Sequence, residues 1–351
     1  MNELPLRNEN ILLLGPKFYG YCNYIKQEIV NLGGNVIFNE LELWNGGRYS
    51  HRGIIRKTYC RLKEPNWEDK TAKRILKSIG ENKIDRLIVI AVYSATIELI
   101  YELKRRNPSI KTYIYFWDAF STWNFSYLIE HFDYCYSFDR NDCERYKSLQ
   151  YLPLFYRKTQ LSNNIECKYD ITHIGTLGVE YSKRLDICPV IYQNGLKDNQ
   201  NNFIYLVWKN RIDNSKVSPI KSLIKLLLRD PIYLFSRRVN KCKNSTPIIH
   251  ESPLPLEIVS KIEKSSRALL DINMNRSGLA MRLIGAIANG KKIITNNKFI
   301  VEEDFYSPDN ILVLDEKNPI VHKEWLLTPP SKIDISYLRI DNWIKTILKI
   351  S

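Results

Sequence analysis

Residues 268–295, ALLDINMNRSGLAMRLIGAIANGKKIIT, constrain the fold of this chain more than any other stretch. The apolar run 268–272 reads as a buried strand, and 279–288 carries apolar residues at helical spacing. Gly290 stops that helix, and Lys292-Ile293-Ile294-Thr295 opens a second strand. Strand, polar turn, helix and strand in this order make one βαβ unit, whose two strands run parallel. The turn Asn275, Arg276, Ser277 and Gly278 then lies at the carboxyl end of a strand and the amino end of a helix. Free N–H groups and the helix dipole favour a phosphate there. Arg282, one turn into the helix, can bind phosphate oxygens in pairs; the alternative is a surface Arg paired with a carboxylate. Ser277 can also be no more than the helix cap, and Lys291 no more than a cation at the helix end.

The same rhythm runs through the whole chain. Strands are expected at 11–14, 36–38, 86–92, 111–117 and 134–138, with helices at 19–31, 67–79, 94–106 and 142–148. Residues 40–66 read as a long loop. The pattern breaks near Leu152-Pro153-Leu154, and 157–168 reads as a linker. Strands resume at 170–174, 203–207, 268–272, 292–295 and 310–314, and 335–350 is an amphipathic helix carrying Trp343. The expected fold is α/β with two Rossmann-like domains: 1–156, then 157–334, then a helix at 335–351.

The chain has 351 residues, 44% of them hydrophobic and 26% charged, which fits two globular domains. A formal net charge of +14 suits an anionic partner: nucleic acid, a membrane surface or a phosphorylated ligand. No nucleic-acid-binding signature appears, so nucleic acid is not expected as a partner. Seven cysteines and five histidines are scattered without metal-ligand spacing, so neither a metal nor another cofactor is expected. The first fifteen residues lack the features of a signal peptide, and no apolar run reaches the ~18 residues of a membrane span. A cytoplasmic protein is expected. Residues 219–243 interleave Leu, Ile and Phe with seven Lys or Arg, as a segment lying on an anionic bilayer does. An ordinary surface helix would share that pattern.

Other candidates sit at strand ends. Gly175 and Thr176 close the first strand of the second half, in a turn that can offer N–H groups to a diphosphate or simply turn tightly. His250 is placed either near a nucleotide or on the surface. In the first half, Gly15, Pro16 and Tyr19 shape the first βα turn, where they can touch a substrate. Asp118 lies just past a strand end, where a carboxylate can act as general base or merely cap a turn. Asp139 and Arg140 read as a local ion pair.

Two segments, GLAMRLIGAIANGKKIITNN (278–297) and EEDFYSPDNILVLDE (302–316), resemble the donor domain of bacterial glycosyltransferases that build lipopolysaccharide and capsular polysaccharide. The matching elements are Ser277-Gly278-Leu279, Met281-Arg282, Gly290-Lys291-Lys292, Thr295-Asn296-Asn297 and Asp304-Phe305-Tyr306. ITHIGTLG (171–178), YIYFWDAF (113–120) and YSFDRNDCERYKSLQYLPLFY (136–156) extend the likeness over most of the chain. It implies a GT-B fold, with two Rossmann-like domains facing across a cleft. It also implies metal-independent transfer of a sugar from a nucleotide-sugar donor to a glycolipid or oligosaccharide acceptor in lipopolysaccharide, O-antigen or capsule assembly. Where many such enzymes place a Glu beside the donor, this chain has Gly285. That departure keeps open a noncatalytic sugar-nucleotide-binding subunit; a GT-B-like sugar-nucleotide epimerase is a second alternative.

Overall fold

The computed structural model describes residues 4–350 apart from 17–19, 42–57, 60–61, 64–65, 92–95, 124, 158–165, 210–217, 229 and 275–276. Most of the expected loop 40–66 lies outside the described residues. The chain forms two compact units. One comprises Met1–Lys158, Ser277–Met281 and Ser336–Ser351, and the other Thr159–Arg276 and Arg282–Ile335.

Six parallel strands build the first unit: β1 (Asn10–Pro16), β2 (Asn35–Leu41), β3 (Arg86–Ile90), β4 (Lys111–Phe116), β5 (Tyr134–Ser137) and β6 (Leu149–Tyr151). Their order is β2-β1-β3-β4-β5-β6. In β1, Ile11 to Leu14 are fully buried, and β3 is buried throughout. Continuous rather than alternating burial is what a parallel sheet covered on both faces demands. The three-residue β6 is too short to give a periodic signal, so the sequence shows only a break there.

The terminal helix Ile340–Leu348 belongs to this first unit. Trp343, fully buried, donates from Nε1 to the Pro153 carbonyl at 2.9 Å and packs edge-on against Tyr115 at 4.7 Å. The helix ends on buried polar groups of the sheet. Tyr136 donates to the carbonyls of Thr346 and Ile347 at 3.3 and 3.2 Å, and Arg86 to that of Leu348 at 3.3 Å. Arg86 also pairs with Glu9 and bonds the Tyr113 hydroxyl at 2.7 Å, which keeps its buried charge compensated. The helix is shorter than the expected 335–350. Tyr156 exchanges backbone hydrogen bonds with Leu338 and Ile340, at 3.0 Å each, and holds Arg339 extended.

The second unit has β7 (Tyr169–Thr176), β8 (Phe203–Val207), β9 (Ile249–His250), β10 (Ser266–Asp271), β11 (Lys292–Thr295) and β12 (Ile311–Val313), all parallel. Their order is β12-β11-β10-β7-β8-β9. Chain order therefore runs outward from β7 through β8 and β9, then restarts on the other side at β10. The helix Ser182–Lys197 was hidden in the sequence by Pro189, which ordinarily breaks a helix interior. Its buried Leu185, Ile187, Cys188 and Ile191 join β7, β8 and β10 in one core with Phe235 and Val239.

Trp343→Ala should destabilise the chain by about 3–5 kcal/mol, the cost of deleting a fully buried aromatic with its hydrogen bond. Urea unfolding of parent and variant measures it, and a loss under ~1 kcal/mol would mean the helix contributes little to this core.

Candidate functional site

In an open parallel sheet, ligands bind outside the carboxyl ends of the strands where chain order reverses. In the second unit that point lies between β7 and β10, whose carboxyl ends are Gly175-Thr176 and Asp271. The helix Met281–Ala288 leads away from β10, and Arg282 in its first turn reaches back over both strands. Its Nη1 donates to the Ile174 carbonyl at 2.7 Å, and Nη2 to Asp271 Oδ1 at 3.3 Å. Glu263 stands 4.0 Å from Nη1. The guanidinium is therefore held in place before any ligand arrives, and two acidic groups balance its charge.

A second guanidinium lies beside it. Arg184, from the helix Ser182–Lys197, donates from Nη1 to the Thr176 carbonyl at 2.7 Å and stacks over Tyr181 at 4.4 Å. Its buried Nε has no partner among the described residues. Burial lowers the Arg184 pKa, the positive charge of Arg282 lowers it further, and Asp271 opposes both. Burial also raises Glu263 above the usual carboxylate range, against the pull of Arg282.

Between these groups lies His173, only 1% exposed. Its Nδ1 lies 2.7 Å from the Leu270 carbonyl, which can only accept, so Nδ1 carries the proton. Nε2 then presents a lone pair that is buried and without a partner among the described residues. Burial, followed by the charges of Arg282 and Arg184, holds the imidazole neutral well below its usual range. Gly175 makes this geometry possible. A Cβ there would stand 2.8 Å from His173 Nε2 and 3.0 Å from Arg184 Nη1, too close for both side chains to keep their places. The second unit thus packs two cations and an acceptor with no partner among the described residues against the Gly175 backbone at the strand-order reversal. An anion placed there would relieve the repulsion between the two guanidiniums.

Of the expected donor-side residues, Gly175, Thr176 and Arg282 come together here. His250 ends β9 and lies flat on Tyr205, with ring centroids 3.7 Å apart. Lys291 is a correction. Its ammonium donates to the carbonyls of Lys264 and Ser266 at 2.6 and 2.8 Å, at the amino end of β10, so it lies at the opposite end of the strand from the reversal point. Ser277 and Gly278 are corrected too. The helix begins only at Met281, so Ser277 is not its cap. Ser277 instead accepts from the Arg140 and Asn141 N–H groups at 2.7 and 3.3 Å and donates its own N–H to Asp139 at 3.0 Å. A Cβ on Gly278 would overlap the Phe138 ring and carbonyl. Packing in the first unit accounts for both residues. Asn275 and Arg276 lie outside the described residues.

In the first unit, Asp118 follows the end of β4 and is half-buried. The turn it occupies is fixed by Asp142, which accepts the Phe120 N–H at 2.8 Å. Burial pushes Asp142 up to about 6, against that hydrogen bond. Gly15 gives its space to the buried Cys22 side chain, with which a Cβ would collide; helix packing on β1 explains the glycine, and Pro16 ends that strand. Tyr19 lies outside the described residues. Asp139 is 2% exposed. It caps the helix Arg140–Arg145 through the Asp142 N–H at 3.2 Å, while Arg140 stacks over Tyr151 at 4.0 Å.

Sequence reasoning missed His173, Arg184, Asp271 and Glu263. A polar His among the apolar residues of 171–174, two positions before a Gly, was the available signal. Among the described residues no group of three or more His, Cys, Asp or Glu side chains is arranged to hold a metal ion, and no helix is long and apolar enough to cross a membrane.

No family model and no curated protein matches the chain. Solved structures do. A trehalose-6-phosphate synthase superposes with a TM-score of 0.58 at 9% identity, covering 97% of this chain and 98% of that one. An alpha,alpha-trehalose-phosphate synthase (UDP-forming) from Burkholderia vietnamiensis gives 0.57 at 8% identity, covering 97% and 96%. A trehalose-6-phosphate protein from E. coli, bound with UDP-2-fluoro glucose, gives 0.57 at 10% identity with the same coverage of each chain. At such identities the likeness concerns the fold, which is GT-B-like: two Rossmann-like units, each with a parallel six-stranded sheet.

The His173 environment has a pH consequence. Its folded pKa lies well below the usual 6.5, so below about pH 6.5 the unfolded chain takes up a proton that the folded chain refuses. This contribution is complete above that value and is lost as pH falls toward the folded pKa. His173→Asn, which keeps a donor for Leu270, should lose less stability than the parent between about pH 7.5 and 5.5, by up to ~1.4 kcal/mol. Urea midpoints at the two pH values measure the difference, and parallel losses in both proteins would mean His173 is not buried neutral.

Proposed function

We propose that the chain is a glycosyltransferase that moves a sugar from a nucleotide-sugar donor to a glycolipid or oligosaccharide acceptor. The observation that carries this reading is the pair Arg184 and Arg282 at the strand-order reversal, with Arg184 packed against the Gly175 backbone. Breaking the bond between sugar and diphosphate leaves negative charge on the departing nucleoside diphosphate. Two guanidiniums already fixed by carbonyl contacts stabilise that charge without reorganising during the reaction. The reading needs no metal. Thr176 and Gly175 lie at the end of β7 beside the diphosphate, and the His250–Tyr205 stack offers a flat surface for a nucleoside. Asp118, at the end of β4, is proposed as the base that takes the acceptor hydroxyl proton, which then leaves an oxygen able to attack the sugar carbon as the donor bond breaks.

The likeness of 278–297 and 302–316 to polysaccharide-building transferases supports an acceptor in lipopolysaccharide, O-antigen or capsule assembly, reached by peripheral contact with the inner face of an anionic plasma membrane through 219–243. A noncatalytic sugar-nucleotide-binding subunit is the second reading, and Gly285 favours it. A Cβ there meets nothing within 4 Å, so packing does not explain the glycine.

Nucleoside diphosphates should raise the melting temperature of the parent chain, because a ligand that binds only the folded state stabilises it. Arg282→Lys keeps the charge but not the planar fork that bonds Ile174 and Asp271. This variant, and separately Arg184→Ala, should weaken UDP binding about ten- to a hundredfold, the worth of one charge-assisted hydrogen bond. Calorimetric titration reads the loss; affinities like the parent's in both variants would reject the diphosphate site.

Asp118→Asn should bind the donor as the parent does while transfer falls about 10²–10⁴-fold. Release of free nucleotide on adding acceptor reports turnover, and product NMR reports the anomeric configuration. Normal transfer by the variant, or retention of configuration, would remove Asp118 from the base role.

A further inference from the structure

Residues 219–243 do not act as one amphipathic segment. The helix Pro231–Lys243 turns its apolar face inward: Tyr233, Phe235 and Val239 are buried, and Phe235 meets Trp208 edge-on at 5.4 Å. Two of its cations are neutralised, with Arg238 paired to Asp186 and Lys243 bonded to Glu251 at 2.8 Å. Asp230 caps this helix through the N–H groups of Ile232 and Tyr233 at 2.9 and 3.1 Å.

The helix Pro219–Leu227 and that turn behave differently. Leu227 and Leu228 are 73% and 75% exposed, Leu223 is 57% exposed, and Leu226 and Ile232 are 41% each. Consecutive leucines held in water at the end of a helix call for a partner that removes them from it. The charge around them says which. The stretch 219–243 holds seven Lys or Arg and one acidic residue, Asp230. A second copy of the chain would bring seven more cations against these, which opposes self-association. An anionic bilayer offers apolar chains for the leucines and phosphates for the lysines.

We propose that Leu226, Leu227, Leu228 and Ile232 form a tip that enters the boundary between headgroups and acyl chains of an anionic bilayer, with Lys221 and Lys225 at the phosphate level. This deepens the membrane contact proposed above, and it locates insertion at the turn, leaving the helix Pro231–Lys243 as its support on the core.

The full chain is tested by sedimentation with phosphatidylcholine vesicles, with and without phosphatidylglycerol. The parent should bind the anionic vesicles and release in high salt. Leu227→Ser with Leu228→Ser should weaken binding about tenfold or more, since burying even one leucine is worth that much. Lys221→Glu with Lys225→Glu should weaken it at least about fivefold per lysine. Arg238→Ser, whose charge is already paired, should change it little. The proposal is overturned if the parent ignores anionic vesicles, if the double Leu variant binds like the parent, or if that variant instead turns a dimer into a monomer on sizing. UDP-induced stabilisation measured on the same samples separates the two readings. Its loss in the parent sinks the donor site and leaves the vesicle result standing, and its retention in the Leu variant shows the fold intact.

Discussion

The contact that organises the strand ends of the second unit is the Arg282 guanidinium bridging the Ile174 carbonyl and the Asp271 carboxylate. It ties the carboxyl ends of the two strands between which chain order reverses. A crevice at that point is a consequence of topology alone, because the crossovers after β7 and after β10 lead to opposite sides. What the crevice binds is decided by what lines it. Here backbone carbonyls and carboxylates hold two cations together, and a neutral His173 stands next to them instead of a third charge.

Burial, followed by the charges of Arg282 and Arg184, lowers the readiness of His173 to take a proton, and burial followed by Arg282 lowers the pKa of Arg184. Buried Nε atoms on Arg184 and His173 go unsatisfied among the described residues. Arg86 in the first unit differs: its guanidinium is matched by Glu9, the Tyr113 hydroxyl and a helix-end carbonyl.

The βα rhythm was legible because buried parallel strands write continuous apolar runs. The stretches 11–14, 86–90, 203–207 and 292–295 could hardly be anything else. Arg282 was legible as well, since its place one turn into a helix after a strand follows from spacing. The short β6 and β9 were not, because two or three residues carry no period. Pro189 concealed a helix, and with it Arg184. Lys291 and Ser277 misled for a related reason: each has the right chemistry at the right spacing, but a competing partner took it. Two carbonyls claim the lysine, and the Arg140 and Asn141 amides claim the serine.

Sequence by itself therefore determined the class of fold, the unit at 268–295 and the basic, leucine-rich character of 219–243, since local propensity and hydrophobic period act between near neighbours along the chain. Only the tertiary structure decided which leucines face water, which cations are already paired, and that His173 and Arg184 meet at Gly175. Those outcomes depend on strand order and on competition between distant hydrogen-bonding groups. Residues far apart in the chain meet at one glycine because parallel pairing sets β7 beside β10, and nothing in the local pattern of either strand records the other.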